Sequence, residues 1–369
     1  MKRMYILKVL AWIGSVALAS ALAFLLLAWF IPPFKALEPD RQLYTIRHQE
    51  LRDNNPLYTD LFLQSIKHHN GYLVLGTSES NDLTEGNYYD FLNADTTLKI
   101  GFSLVAGAGR TPCTYFPLIQ SNDNVRGLKV IFMINPRYWC NPYARSNKQY
   151  FSRYVSTAEY KRANHPKNKR VDDILKVNHS YIPLVNRIGD GAALFLDRVR
   201  RKYYQDLVFD LKPDKFSKSL RFFGEKKKLD EYPHFGVIDS MHYNFEYNVA
   251  KGYNVSDNLF YVDTSVTYRY DELRAMISVC KEHDVDITFV VGPYNKLAFE
   301  KACPEQIPML DEVCQNIINI CRQEKVPYID ATDLSDTPGA FKDIQHHSSY
   351  GACFIYLKIK NYVLEKENR

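Results

Sequence analysis

Short, largely apolar runs recur along most of the chain, at Tyr72–Leu75, Leu98–Phe102, Leu128–Ile134, Val285–Val291 and Val326–Ile329. Each has the length of a buried parallel strand and lacks the alternation of a strand with one wet face. Segments of helical period lie between several of them. Tyr270–His283 leads into the fourth run, and Ile307–Glu324, with Met309, Val313, Ile317 and Cys321 on one stripe, leads into the fifth. Alternation of this kind predicts an α/β fold, a three-layer parallel sheet with helices on both faces.

The longest apolar run stands apart from these. Val9 to Ile31 contains no charge, ends at Pro32-Pro33, and follows Lys2, Arg3 and Lys8. At about 1.5 Å per residue it measures about 34 Å, enough to cross a hydrocarbon core of roughly 30 Å. Basic residues on its amino side predict a cytoplasmic tip, with everything after Pro33 on the far face of the cell membrane. A cleaved signal peptide is the competing reading, because Ala17-Leu18-Ala19 and Ala21-Leu22-Ala23 resemble cleavage sites. The run continues through Phe24 to Phe30, beyond what a secretory segment needs, and this favours an uncleaved single-pass anchor.

Five regions follow from the patterning. They are a tip and transmembrane anchor (1–33), a helical lead-in (34–70), the first part of the α/β domain (71–139), a largely helical insertion (140–265) and the second part of the domain (266–369). Charge sets the insertion apart. Residues 145–228 hold 21 Lys or Arg against 9 Asp or Glu, a net +12 in a chain whose total is +5. Tyr and Phe are interleaved with these cations, in a chain with 27 Tyr and 21 Phe. Such a surface suits an anionic envelope polymer or lipid headgroups; the competing reading is a solvated helical face. No nucleic-acid recognition motif is present, and a domain beyond the membrane would not meet nucleic acid.

The seven cysteines, at 113, 140, 280, 303, 314, 321 and 353, include no CxxC and no histidine at metal-ligand spacing. No metal site and no cofactor are expected. An odd number leaves at least one free thiol. Outside the cytoplasm Cys303 could pair with Cys314 or Cys321, although most of the seven sit among apolar residues and read as small core hydrophobes.

Candidate chemistry lies at two separated places. The first strand breaks into Gly76-Thr77-Ser78-Glu79-Ser80, a pattern that can hold a hydroxyl at the carboxyl edge of a sheet where a helix begins. Taken alone, Thr77 or Ser78 could be a helix cap with Glu79 in the first turn. Far downstream, Asp343-Ile344-Gln345-His346 offers an imidazole base and, three residues earlier, a carboxylate to orient it. The adjacent His347 invites a metal reading, but neighbouring side chains point in different directions. Ser78 is therefore the candidate nucleophile, His346 the base and Asp343 its orienting partner. Donors for an oxyanion, each contributing about 3 to 4 kcal/mol, could come from the Ser78 backbone, from the turn at Gly107 and Gly109, and from the side chain of Asn135, held extended by Pro136.

Together Gly76-x-Ser78, Gly107-x-Gly109, Asn135-Pro136-Arg137-Tyr138-Trp139 and Asp343-x-x-His346 resemble the SGNH/GDSL hydrolase superfamily. More closely the chain resembles the DltD family of D-alanyl-lipoteichoic-acid biosynthesis proteins. Gly76-Thr77-Ser78-Glu79, Gly292-Pro293-Tyr294-Asn295, Gly351 after the histidine and the single amino-terminal anchor carry this closer likeness. Asn135 stands where that family usually has Ser, and His347-Ser348-Ser349-Tyr350 replaces its usual Leu-Gly-Trp. The resemblance implies an SGNH-hydrolase-like, flavodoxin-like domain that handles acyl groups, D-alanyl among them, through a Ser-His-Asp site. It implies a membrane-bound O-acyltransferase of the MBOAT type as partner, with an acyl carrier protein or an anionic polymer as donor or acceptor. A non-catalytic scaffold for that acyltransferase, and a stand-alone polysaccharide O-acetyl esterase, are the alternatives.

Overall fold

A computed structural model describes residues 2–29, 44–46, 70–76, 125–139, 220–222, 268–341 and 346–368, with further positions inside 63–67, 91–105 and 115–119. Statements below about what is present or absent concern those residues. The elements are helix α1 (Lys2–Trp29), strands β1 (Tyr44–Ile46), β2 (Tyr72–Gly76), β3 (Ile100–Val105), β4 (Lys129–Ile134) and β5 (Leu220–Phe222), helix α2 (Tyr268–Glu282), strand β6 (Asp286–Val291), helices α3 (Lys296–Ala302) and α4 (Ile307–Gln323), strand β7 (Tyr328–Asp330) and helix α5 (Ser349–Glu367).

The seven strands form one sheet in the order β5-β1-β3-β2-β4-β6-β7. Its five central strands are parallel. Counted among themselves in chain order they run 2-1-3-4-5, the flavodoxin-like order. All five expected strands are present, with ends shifted by at most a few residues.

Side-chain alternation along the strands divides the interior in two. Leu73, Leu75, Val130, Phe132, Ile287 and Phe289 point to one face and pack with Met276 of α2 and Leu310, Ile317 and Cys321 of α4. Tyr72, Val74, Ile131, Met133 and Val290 point to the other and pack with Ile355, Tyr356, Ile359 and Val363 of α5. Strands covered on both faces need apolar residues at every position, which is why each reads as an unbroken apolar run.

Two further strands, which the sequence patterning does not predict, lie at the sheet's edge. The lead-in contains a strand: Tyr44–Ile46 pairs parallel with β3, Thr45 opposite Ser103. The insertion contributes another, as Leu220–Phe222 runs antiparallel to β1 with Arg221 opposite Thr45. Both carry aromatic, β-branched or apolar residues that suit a pleated surface, and a three-residue strand is too short for its period to show in sequence. The amphipathic stretch expected at 58–63 lies mostly outside the described residues.

Helix α1 is apolar all round and exposed, Trp12 to 69% and Leu10 to 59%. Its segment Met4–Ala23 is long and apolar enough to cross a membrane, the one such helix among the described residues.

Candidate functional site at the carboxyl edge of the sheet

In an open parallel sheet, ligands bind beyond the carboxyl ends of the strands where the strand order reverses. Here β3 lies on one side of β2 and β4 on the other. The reversal therefore falls between the ends of β2 and β4, at Gly76 and Asn135.

The Gly76 carbonyl accepts a hydrogen bond from the Tyr115 hydroxyl at 2.5 Å, and the Tyr115 ring stands edge-on to Phe132 at 5.6 Å. This fixes the point from which the chain leaves β2. Ser78, two residues further on, lies outside the described residues, as do Gly107 and Gly109 beyond β3 and Asp343. Asn135 is described and half-buried. Its Oδ1 accepts from the Arg137 backbone N–H at 3.0 Å, an Asx turn that commits the oxygen and leaves the Nδ2 hydrogens as the side chain's donors.

Beyond Asn135 the chain is buried: Arg137 is 1% exposed and Trp139 4%. The Trp139 ring lies 6.5 Å from that of Tyr270 at the start of α2. The two ends of the insertion thus meet beside the candidate site. One residue from Tyr270, Arg269 and Glu272 form a buried ion pair through two contacts of 3.0 and 2.9 Å. Next along the edge, Gly292 donates its N–H to the Ile134 carbonyl at 3.1 Å. It does so at φ +77°, a conformation that favours glycine. Tyr294 then donates its hydroxyl to Asp311 at 2.8 Å, and burial followed by that hydrogen bond raises the phenol's pKa.

Helix α5 brings the histidine segment to the same edge. Near its carboxyl end Lys366 pairs with Asp286 at 2.6 Å and Glu367 with Lys129 at 3.5 Å, and those partners begin β6 and β4. Tyr362 bonds Thr288 at 2.7 Å, while Lys358 reaches Asp333, beyond the end of β7, at 2.9 Å. The helix runs antiparallel to the strands. Its amino end, with His346 and His347 just before it, lies at the carboxyl edge.

The two histidines have different environments. His347 is buried, bridges Phe341 in an isolated antiparallel pair, and sets its ring 5.3 Å from the Phe341 ring. His346, the residue before it, is half-buried. Ser348 caps α5: its hydroxyl accepts from the Gly351 N–H at 3.1 Å and donates to the Gly339 carbonyl. Gly351 packs directly on the backbone, since a Cβ there would lie 2.1 Å from the Ala340 carbonyl oxygen. Sequence reasoning placed neither Tyr115 nor Ser348 at the site. A Ser immediately before a helix is a readable cap signal, whereas the reach of Tyr115 across the fold leaves no local trace.

The five described cysteines are buried and none is in a disulfide, so Cys303 is bridged neither to Cys314 nor to Cys321. Burial pushes the Cys321 thiol up to about 12. Among the described residues no group of His, Cys, Asp or Glu could hold a metal ion.

A flavodoxin-ordered parallel sheet, clad by helices on both faces and with His346 and His347 at its carboxyl edge, defines an α/β protein of flavodoxin-like strand order. Over residues 225–363 the chain matches the model of the DltD protein family. That match spans Gly292-Pro293, Asp343, His346 and Gly351; Gly76–Glu79 and Asn135–Trp139 lie outside it. No curated protein matches the chain. A solved structure similar to it is a GDSL-like lipase from Bacteroides thetaiotaomicron VPI-5482, at 9% identity and a TM-score of 0.36, covering 81% of this chain and 90% of that one.

Proposed function

We propose that this protein is a membrane-anchored, extracytoplasmic serine acyltransferase or esterase of DltD type. The observation that carries the reading is the convergence of three separate segments on one edge: the end of β2, the end of β4 at Asn135, and the loop with His346 before α5. The family match over 225–363 supports acyl handling, and the exposed apolar α1 supports the anchor.

In the proposed mechanism His346 takes the proton of the Ser78 hydroxyl as its oxygen attacks an acyl carbonyl, and Asp343 holds the imidazole in the required tautomer. Asn135 Nδ2 and the backbone N–H groups of Ser78 and Gly107 stabilise the tetrahedral oxyanion. The leaving group departs with the proton from His346. A hydroxyl of a cell-envelope polymer, or water, then releases the acyl group by the reverse sequence. A membrane-bound O-acyltransferase would supply or receive the acyl group, D-alanyl included, with an acyl carrier protein or anionic polymer as further partners.

The test uses the full chain in detergent with ester and thioester substrates, compared with Ser78→Ala. Acyl release or transfer by the native chain, lost in the variant while the unfolding midpoint is kept, is the expected result. Equal activity of the two proteins would overturn the assignment of Ser78.

A further inference from the structure

The segment that follows β7 is tied to the end of β6. Ala331 donates its backbone N–H to the Val291 carbonyl at 3.0 Å. Ser335 is buried, accepts the Tyr294 N–H on its hydroxyl at 3.3 Å, and accepts the Lys296 N–H on its carbonyl at 3.2 Å. Two turns then carry the chain onward, with Thr337 donating to the Leu334 carbonyl at 3.2 Å and Ala340 to the Thr337 carbonyl at 3.1 Å. Gly339 and the buried Ala340 thus present their carbonyls from a braced backbone at the carboxyl edge.

Ser348, two residues after His346, grips both of them. Its N–H donates to the Ala340 carbonyl at 3.0 Å and its hydroxyl donates to the Gly339 carbonyl. The same hydroxyl oxygen accepts from the Gly351 N–H at 3.1 Å, and Ser348 has the extended backbone of a helix cap, φ −72° and ψ 171°. One hydroxyl therefore has two separable functions. Capping α5 needs only its acceptor oxygen, which Asp or Thr would supply as well. The donated hydrogen is not needed to start the helix, and it binds the histidine segment to the loop beyond β7.

We infer that Ser348 is a positioning residue for the base. By donating to Gly339 it fixes the backbone that bears His346 relative to the ends of β6 and β7. A displacement of about 1 Å at a reacting group costs on the order of 100-fold in rate, so a tie this close to the imidazole bears on turnover as well as on folding. The inference rests on the reading of His346 as the general base.

Three substitutions separate the two functions of the hydroxyl. Ser348→Thr keeps donor and acceptor, Ser348→Asp keeps the acceptor alone, and Ser348→Ala keeps neither. Turnover of p-nitrophenyl acetate by the full chain in detergent is measured beside thermal unfolding, at a temperature well below the lowest midpoint. The kcat is read on the plateau of the pH–rate profile, which sets aside any effect of the new carboxylate on the acid limb. Ser348→Thr should stay within about twofold of native in kcat, whereas Ser348→Asp should lose about 10- to 100-fold with KM within about twofold. The unfolding midpoint of Ser348→Asp should exceed that of Ser348→Ala, because its cap is kept. Native kcat in Ser348→Asp overturns the inference, since capping alone would then suffice. A loss in Ser348→Thr as large as that in Ser348→Asp overturns it too, because the donor would then not be what matters. Equal turnover by the native chain and His346→Gln would count against the base itself, a separate outcome.

Discussion

Phe341 and His347 pair across an isolated antiparallel bridge with their rings 5.3 Å apart. The two adjacent histidines have unequal environments: His347 is buried in this bridge, whereas His346 is half-buried. His347→Gln should therefore lower stability by about 1 to 2 kcal/mol with activity reduced only in proportion. His346→Gln should leave the unfolding midpoint within a few degrees of native while activity falls by at least 100-fold. Thermal unfolding measured beside turnover for both variants checks the division.

Gly351 is the point at which α5 closes on the preceding loop. With only 2.1 Å available between a Cβ and the Ala340 oxygen, Gly351→Ala must displace either the helix or the loop. A loss of about 2 kcal/mol or more is expected, with activity falling further than stability because the Ser348 N–H, two residues from His346, bonds the Ala340 carbonyl. Denaturant unfolding and activity measured on the same preparation separate the two effects.

At the opposite edge, Asp95 is 2% exposed and accepts from Tyr356 at 2.6 Å, Lys360 at 2.7 Å and the Thr97 backbone N–H at 2.9 Å. Burial alone would raise its pKa. The hydrogen bonds from Lys360, Thr97 and Tyr356 outweigh it and lower the carboxyl from 3.8 to about 2. A folded-state pKa below the unfolded value gives stability that is present above about pH 4 and is lost as the pH falls towards 2. Asp95→Asn should lower the stability at pH 7 and flatten its acid limb between pH 4 and 2, followed by urea midpoints across that range.

Two tyrosines buried to the same degree should respond oppositely to loss of the hydroxyl. Tyr356 donates to Asp95, whereas the buried Tyr72 hydroxyl has no hydrogen-bond partner among the described residues. Tyr356→Phe should cost about 1 to 2 kcal/mol, and Tyr72→Phe should be neutral or stabilising by up to about 1 kcal/mol. Paired unfolding curves decide it, and equal losses in both variants would contradict the difference.

The central strands were legible because burial on both faces forces every position to be apolar, so β2, β4 and β6 stand out without any partner in view. Helix α4 was legible from its stripe of Met309, Val313, Ile317 and Cys321. Strands β1 and β5 were not, because three residues carry no period and their pairing joins positions far apart in the chain. At the site, Asn135 and His346 could be named from strand ends and spacing. The burial of Arg137 and the reach of Tyr115 to Gly76 depend on packing between distant segments. The separation of His346 from His347 rested on a general rule about neighbouring side chains, and the Phe341 bridge supplies its physical cause.

Labelling with a fluorophosphonate probe tests the acyl-transfer site most directly. Intact-mass and peptide analysis of the full chain in detergent should find one adduct, on Ser78, absent in Ser78→Ala, slowed at least 100-fold in His346→Gln and close to native in His347→Gln. No adduct on the native chain, or an adduct whose rate depends on His347 and not on His346, would contradict the account.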